Sequence, residues 1–136
     1  MEVPSVQSTL KVFLVEDSPF VRERVIEKIS STGRVEVVGF ADTEGTAMEK
    51  LQYLHCDAII LDLSLRHGTG FQVLRSLRTE GPDRPYVIVF TDFAHPHVRE
   101  QTLGLGADFF LDKAKDFDRL REIIELLSPP NSSNPA

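Results

Sequence analysis

Ala58-Ile59-Ile60-Leu61 is a continuous apolar run, and it stops on Asp62 just before a loop that holds His67, Gly68 and Gly70. An unbroken short run, without the polar alternation of a half-exposed strand, is the pattern of a strand covered on both faces. In open parallel α/β sheets the ligand crevice lies outside the carboxyl ends of the strands. Asp62 therefore stands where such a sheet puts its chemistry. A carboxylate directly after buried apolar residues is unfavourable there unless it has a partner.

The rest of the chain repeats this theme. Leu10 to Val15 predicts a first strand, followed at once by Glu16-Asp17-Ser18-Pro19. Ser18 suits a helix N-cap, Pro19 a first helical turn, and Val21, Val25, Ile26 and Ile29 form an apolar stripe that Gly33 is placed to end. Val35 to Ala41 predicts a second strand, after which Asp42 or Thr43 can cap a helix from Thr43 to Leu54 that buries Ala47, Leu51 and Leu54. Beyond the central strand, a helix from Gly70 to Thr79 carries Phe71, Leu74 and Leu77 and closes at the Glu80-Gly81-Pro82-Asp83 turn. Tyr86 to Phe90 predicts a fourth strand that ends on Thr91-Asp92, and Pro96 opens a helix whose stripe of Val98, Leu103 and Leu105 is thin. Ala107 to Leu111 predicts a fifth strand ending at Asp112-Lys113, and Phe117, Leu120, Ile123, Ile124 and Leu127 define a last amphipathic helix. Strands alternating with helices in this way predict a parallel sheet with right-handed crossovers and helices on both faces.

Residues 1–9 carry Pro4 and show no period, which predicts a flexible arm; the ordered domain is expected over 10–127. Residues 128–136, Ser-Pro-Pro-Asn-Ser-Ser-Asn-Pro-Ala, cannot bury apolar area and predict a disordered tail. A chain of 136 residues suits one compact domain. A net charge of −6 and a pI near 5.2 argue against a surface built to neutralise phosphates, so no direct nucleic-acid contact is expected. The lone Cys56 cannot form an internal disulfide and suits a packing role. No apolar run reaches the roughly eighteen residues of a membrane span, and Met1 to Leu10 lacks the layout of a secretory signal. The expected address is a reducing cytoplasm, without membrane insertion.

Glu16 and Asp17 leave the first strand, Asp62 the third, Thr91 the fourth and Lys113 the fifth, so all lie on one rim. Two carboxylates about 4 Å apart repel by roughly 4 kcal/mol at an effective dielectric near 20. Three together call for a cation or unusual protonation. Mg²⁺ takes oxygen ligands and keeps several waters, so carboxylates, a loop carbonyl and a phosphoryl oxygen would suit it. If Asp62 attacks phosphorus, the transferring group needs positive charge and donors around its oxygens, which Lys113, Thr91 and loop N–H groups could supply beside the metal. Taken singly, Asp17 suits a helix cap, Thr91 a turn and Lys113 a solvated surface. Their arrival together points to acyl-phosphate formation.

These segments, Val15-Glu16-Asp17-Ser18, Ile59-Ile60-Leu61-Asp62-Leu63, Val89-Phe90-Thr91 and Gly106-Ala107-Asp108-Phe109-Phe110-Leu111-Asp112-Lys113, resemble the receiver domain of two-component response regulators. The likeness covers about Leu10 to Leu127, and the Asp62-to-Gly70 loop is similar to the longer variant of the family's loop. The resemblance implies a flavodoxin-like α/β fold, a doubly wound five-stranded parallel sheet of order 2-1-3-4-5, in a bacterial phosphorelay signal-transduction protein. Asp62 would be the phosphoacceptor, taking its phosphoryl group from a histidine kinase or histidine phosphotransfer protein. Asp17, Asp62 and the backbone carbonyl of Ser64 would hold Mg²⁺, with Glu16 acting through water. Thr91 and Lys113 would bind phosphoryl oxygens. Thr91 and Phe110 would form a switch that presents helix 4, strand 5 and helix 5 to a downstream protein partner. Such a domain catalyses its own phosphorylation and dephosphorylation without being a turnover enzyme.

Three positions depart from the family's pattern. Ala114 follows Lys113 where a proline after a cis bond is common, and a cis bond before a non-proline residue costs about 3 kcal/mol. Asp92 stands after the threonine, where small residues are common, and Arg66 stands in the loop where proline is frequent. The apolar pattern ends at Leu127, so a single-domain regulator is expected, with a receiver fragment of a larger DNA-binding regulator as the alternative. A phosphorylation-independent interaction module is disfavoured by the presence of Asp62, Asp17, Thr91 and Lys113. A phosphatase with an aspartyl-phosphate intermediate would want an acid two residues after Asp62, where Ser64 stands.

Overall fold

The computed structural model describes residues 9–77, 81 and 83–128. Strands β1 (Leu10–Val15), β2 (Val35–Ala41), β3 (Ala58–Leu61), β4 (Tyr86–Thr91) and β5 (Phe109–Asp112) alternate with helices α1 (Pro19–Ser30), α2 (Glu44–Leu51), α3 (Gly70–Leu77), α4 (Pro96–Gly104) and α5 (Arg119–Leu127). The strands form one parallel sheet in the order β2-β1-β3-β4-β5. This is the flavodoxin-like order that the family resemblance implies.

Side chains alternate across each strand and so divide the core in two. Phe13, Val15, Ile59, Leu61, Val87 and Val89 face α2, α3 and α4, where they meet Ala47, Val73, Leu74 and Leu77. Val12, Leu14, Ala58, Ile60, Ile88 and Phe90 face α1 and α5, against Val25, Ile29, Leu120, Ile123 and Ile124. Because both faces of β3 are apolar, hydrophobic alternation cannot set its register. Asp62 does so instead, since a slip of one residue would carry its carboxylate into the sheet.

The N-caps follow side-chain chemistry. The Ser18 hydroxyl accepts the Val21 N–H at 3.2 Å, and Thr43, rather than Asp42, caps α2 by accepting the Thr46 N–H at 3.1 Å. Gly33, at φ +72°, turns the chain after α1. Among the boundaries that differ from expectation, three have a visible cause. α2 stops at Leu51 because the Tyr53 and Leu54 amides both reach back to the Lys50 carbonyl, although Leu54 still packs on the core. β5 starts at Phe109 because the Ala107 N–H is taken by the Thr102 carbonyl and Gly106 turns at φ +110°. α5 starts at Arg119, which leaves Phe117 in the preceding turn, its ring 6.2 Å from that of Phe90. The expected extension of α3 to Thr79, the Glu80 and Pro82 positions of its closing turn, residues 1–8 of the arm and 129–136 of the tail lie outside the described residues.

At the amino-terminal rim of the sheet, Asp57 Oδ2 accepts the Lys11 N–H and Asp108 Oδ2 accepts the Val87 N–H, each at 2.8 Å. These carboxylates satisfy strand amides that the ladder leaves open. Cys56 is buried. Among the described residues no helix is long and apolar enough to cross a membrane.

Candidate functional site

β1 and β3 are direct neighbours in the sheet, so their ends bring the acidic residues together. The Glu16 N–H donates to the Ala41 carbonyl and the Asp62 N–H to the Val15 carbonyl, both at 2.9 Å, which fixes the backbone of each carboxylate. Glu16 and Asp62 are 6% and 4% exposed and Asp17 is half-buried. One oxygen of each lies within 4.8 Å of the others. α3 begins very close to this point. A Cβ on Gly70 would stand 2.2 Å from the Asp62 carbonyl oxygen, so only glycine lets the helix start there.

β5 delivers Lys113 across the rim. Its N–H donates to the Thr91 carbonyl at 3.0 Å, and its Nζ reaches Glu16 Oε1 at 2.7 Å and Asp62 Oδ2 at 2.9 Å. Burial is the strongest influence on this ammonium and disfavours its charge, yet hydrogen bonds and attraction from the two carboxylates outweigh it and raise the Lys113 pKa above its ordinary value. Glu16 is also raised, by burial, against the pull of Lys113 and of the Ser18 N–H that donates to its Oε2 at 3.0 Å. The causes differ: burial lifts Glu16, whereas the two carboxylates lift Lys113.

Thr91 is fully buried, and its Oγ1 accepts the Phe93 N–H at 3.2 Å. Phe110 is half-buried on the strand beside it and packs, as do Val98 and Leu103 of α4, against the core on that face of the sheet. All described peptide bonds are trans, including that before Ala114, whose N–H is held by Asp112 Oδ1 at 2.8 Å. Asp92 is exposed, and Arg66 pairs with Asp42 at 3.1 Å.

Two neighbours of the site were not legible in the sequence. Arg22 Nη1 donates to the Glu16 carbonyl at 2.7 Å while its guanidinium stacks 4.1 Å over the Phe40 ring. Glu44, on α2, accepts the Thr69 N–H at 2.9 Å. Neither sits at a strand end, the only signal that singled out the others. A cavity of about 610 Å³ opens at the opposite rim between His55, Arg84 and Asp108, and none of Glu16, Asp17 and Asp62 lines it.

The donor set fits a hard divalent ion. It offers three carboxylates in reach of one another, two of them buried, and Lys113 balances only one of their charges.

The chain matches the response regulator receiver domain family over residues 12–125. It is 34% identical to protein-glutamate methylesterase/protein-glutamine glutaminase 1 of Syntrophus aciditrophicus, over 85% of this chain and 35% of that one. It is 31% identical to an uncharacterised response regulatory protein of Vibrio vulnificus, over 88% and 48% of the two chains. It thus spans about half or less of the length of these curated relatives. Among solved structures it is similar to the signal receiver domain of the response regulator NarL from Mycobacterium tuberculosis, with a TM-score of 0.77, 27% identity and coverage of 88% and 97%. The response regulator domain of Thermotoga maritima CheB gives a TM-score of 0.76, 26% identity and coverage of 88% and 93%. Since the family match enters at β1 and leaves in α5, taking in every strand end that forms the rim, the chain belongs to the receiver domains of two-component response regulators.

Proposed function

We propose that this receiver domain, residues 10–127, is phosphorylated on Asp62 by a histidine kinase or histidine phosphotransfer protein in the cytoplasm. The observation that carries this reading is Lys113 Nζ seated between Glu16 and Asp62 beside a reachable acidic cluster. A carboxylate oxygen of Asp62 attacks phosphorus and forms the acyl phosphate. The bond from phosphorus to the donor's imidazole nitrogen breaks, and its electron pair stays on that nitrogen, which takes up a proton. Lys113 can turn its ammonium from the carboxylate to a phosphoryl oxygen. Thr91 already accepts from Phe93, which leaves its own O–H to donate to another phosphoryl oxygen. Asp17, Asp62 and the Ser64 carbonyl would hold Mg²⁺ directly and Glu16 through water; when bound, the ion neutralises charge on the carboxylates and on the incoming group.

The same reading supplies an output. Thr91 drawn toward the phosphoryl group frees space for Phe110, and the surface of α4, β5 and α5 changes for a downstream protein partner. The test is incubation with acetyl phosphate and Mg²⁺ followed by intact mass. Wild type gains one phosphoryl mass and Asp62→Asn gains none. Label that persists on Asp62→Asn, or an unchanged rate in excess chelator, overturns the reading.

A further inference from the structure

The loop from Asp62 to Gly70 is fastened at two places. At its base the Gly70 N–H donates to the Leu63 carbonyl at 3.0 Å, and Ser64 forms an antiparallel bridge with Thr69. Its outer end rests on α2. Glu44 Oε1 accepts the Thr69 N–H at 2.9 Å, and the Glu44 backbone N–H donates to the His67 carbonyl at 2.9 Å. Gly68 lies at φ +85°, and a Cβ there would stand 2.4 Å from Glu44 Cβ, so loop backbone lies directly on that side chain. Arg66 and Asp42 add a pair at 3.1 Å that is largely exposed and contributes little. Contacts therefore run from Glu44 to Thr69, from Thr69 to Ser64, and from the Ser64 N–H to Asp62 Oδ1 at 3.3 Å.

We propose that Glu44 is a positioning residue for the cation site: by holding Thr69 it fixes Ser64, whose carbonyl is the uncharged ligand beside Asp17 and Asp62. The inference rests on Mg²⁺ binding at that rim. An acidic residue in the first turn of a helix also favours the helix dipole. Thr43 already caps α2, however, and a dipole role would show in helix stability, with no bearing on a cation bound at the rim.

The test is calorimetric titration of the unphosphorylated chain with Mg²⁺, alongside thermal unfolding and amide exchange at Thr69. Glu44→Ala removes the acceptor and is expected to weaken Mg²⁺ roughly three- to tenfold, the worth of one hydrogen bond, and to speed exchange at Thr69. Glu44→Gln keeps an acceptor oxygen and loses the charge, and is expected to stay within about twofold of wild type. Equal affinity in wild type and Glu44→Ala overturns the proposal, as does an equal loss in both variants, which would assign the effect to charge. A wild type that takes up no Mg²⁺ is a separate outcome, and it overturns the site reading together with this one.

Discussion

At Glu16 two forces act on one proton: burial pushes the carboxyl pKa up, while the Lys113 ammonium at 2.7 Å pulls it down, and burial is the larger. The consequence for stability has a definite sign. A carboxyl whose folded pKa stands above its ordinary value contributes stability that is full below that ordinary value and is lost as pH rises through the folded one. Glu16 is thus a burden on the apo fold at neutral pH. Glu16→Gln keeps an oxygen for the Ser18 N–H and for Lys113 but no longer buries a charge. It is expected to stabilise the apo protein near pH 7, with the gain vanishing in acid, as chemical denaturation at several pH values would show. A variant that is destabilised at pH 7 would mean that the ion pair with Lys113 outweighs burial. Glu16 and Asp62 were visible in the sequence because each ends a run of apolar residues. Arg22 and Glu44 were not, because their partners lie on other elements and no local period marks them.

α4 is held less firmly than its neighbours. Its single fully buried residue is Thr102, whose hydroxyl is occupied by the Val98 and Arg99 carbonyls, whereas α3 buries Val73, Leu74 and Leu77. Full burial of one such aliphatic side chain contributes about 1.5–3 kcal/mol, so α4 is the cheaper helix to shift. On adding a phosphoryl analogue with Mg²⁺, graded amide chemical-shift changes are expected across His97 to Leu105 and at Phe110, with Ala47 to Leu51 of α2 quiet. Large shifts in that part of α2 with Phe110 unmoved would remove the switch. Moving a two-state equilibrium from 1:99 to 99:1 takes about 5.5 kcal/mol, so partial switching is the natural outcome of a weaker bias. The thinness of α4 was legible from the spacing of Val98, Leu103 and Leu105. The true start of β5 was not, since Ala107 is apolar and only its amide's partner across the turn, Thr102, excludes it from the ladder.

For the molecule as a whole, strand order does what no single segment can: it places the ends of β1, β3, β4 and β5 side by side and leaves β2, which bears no site residue, at the edge. Alternation of strands and helices made the layers legible. The order itself came from family likeness, because an apolar run says that a strand is covered and not which strand lies beside it. A ligand that binds only the folded chain raises its stability, by about 2.7 kcal/mol at one hundred times its dissociation constant. Mg²⁺ is therefore expected to raise the thermal unfolding midpoint of wild type, and Asp17→Asn to abolish most of that rise. An equal rise in both proteins would place the ion elsewhere on a chain of net charge −6.

Asp57 and Asp108, at the far rim, put the functional group of Asp62 to a structural purpose: the Oδ2 of each accepts a strand amide, and the Oδ1 meets His55 at 3.5 Å and Arg84 at 3.9 Å respectively. An asparagine can accept that amide as well, whereas it cannot attack phosphorus. Seen as a problem of heredity, one chemical exchange of carboxylate for carboxamide divides the acids of this sheet into two classes. On the proposed chemistry, a drift from Asp to Asn at position 57 or 108 keeps an acceptor for the strand amide, while the same step at 62 takes the nucleophile out of an intact fold.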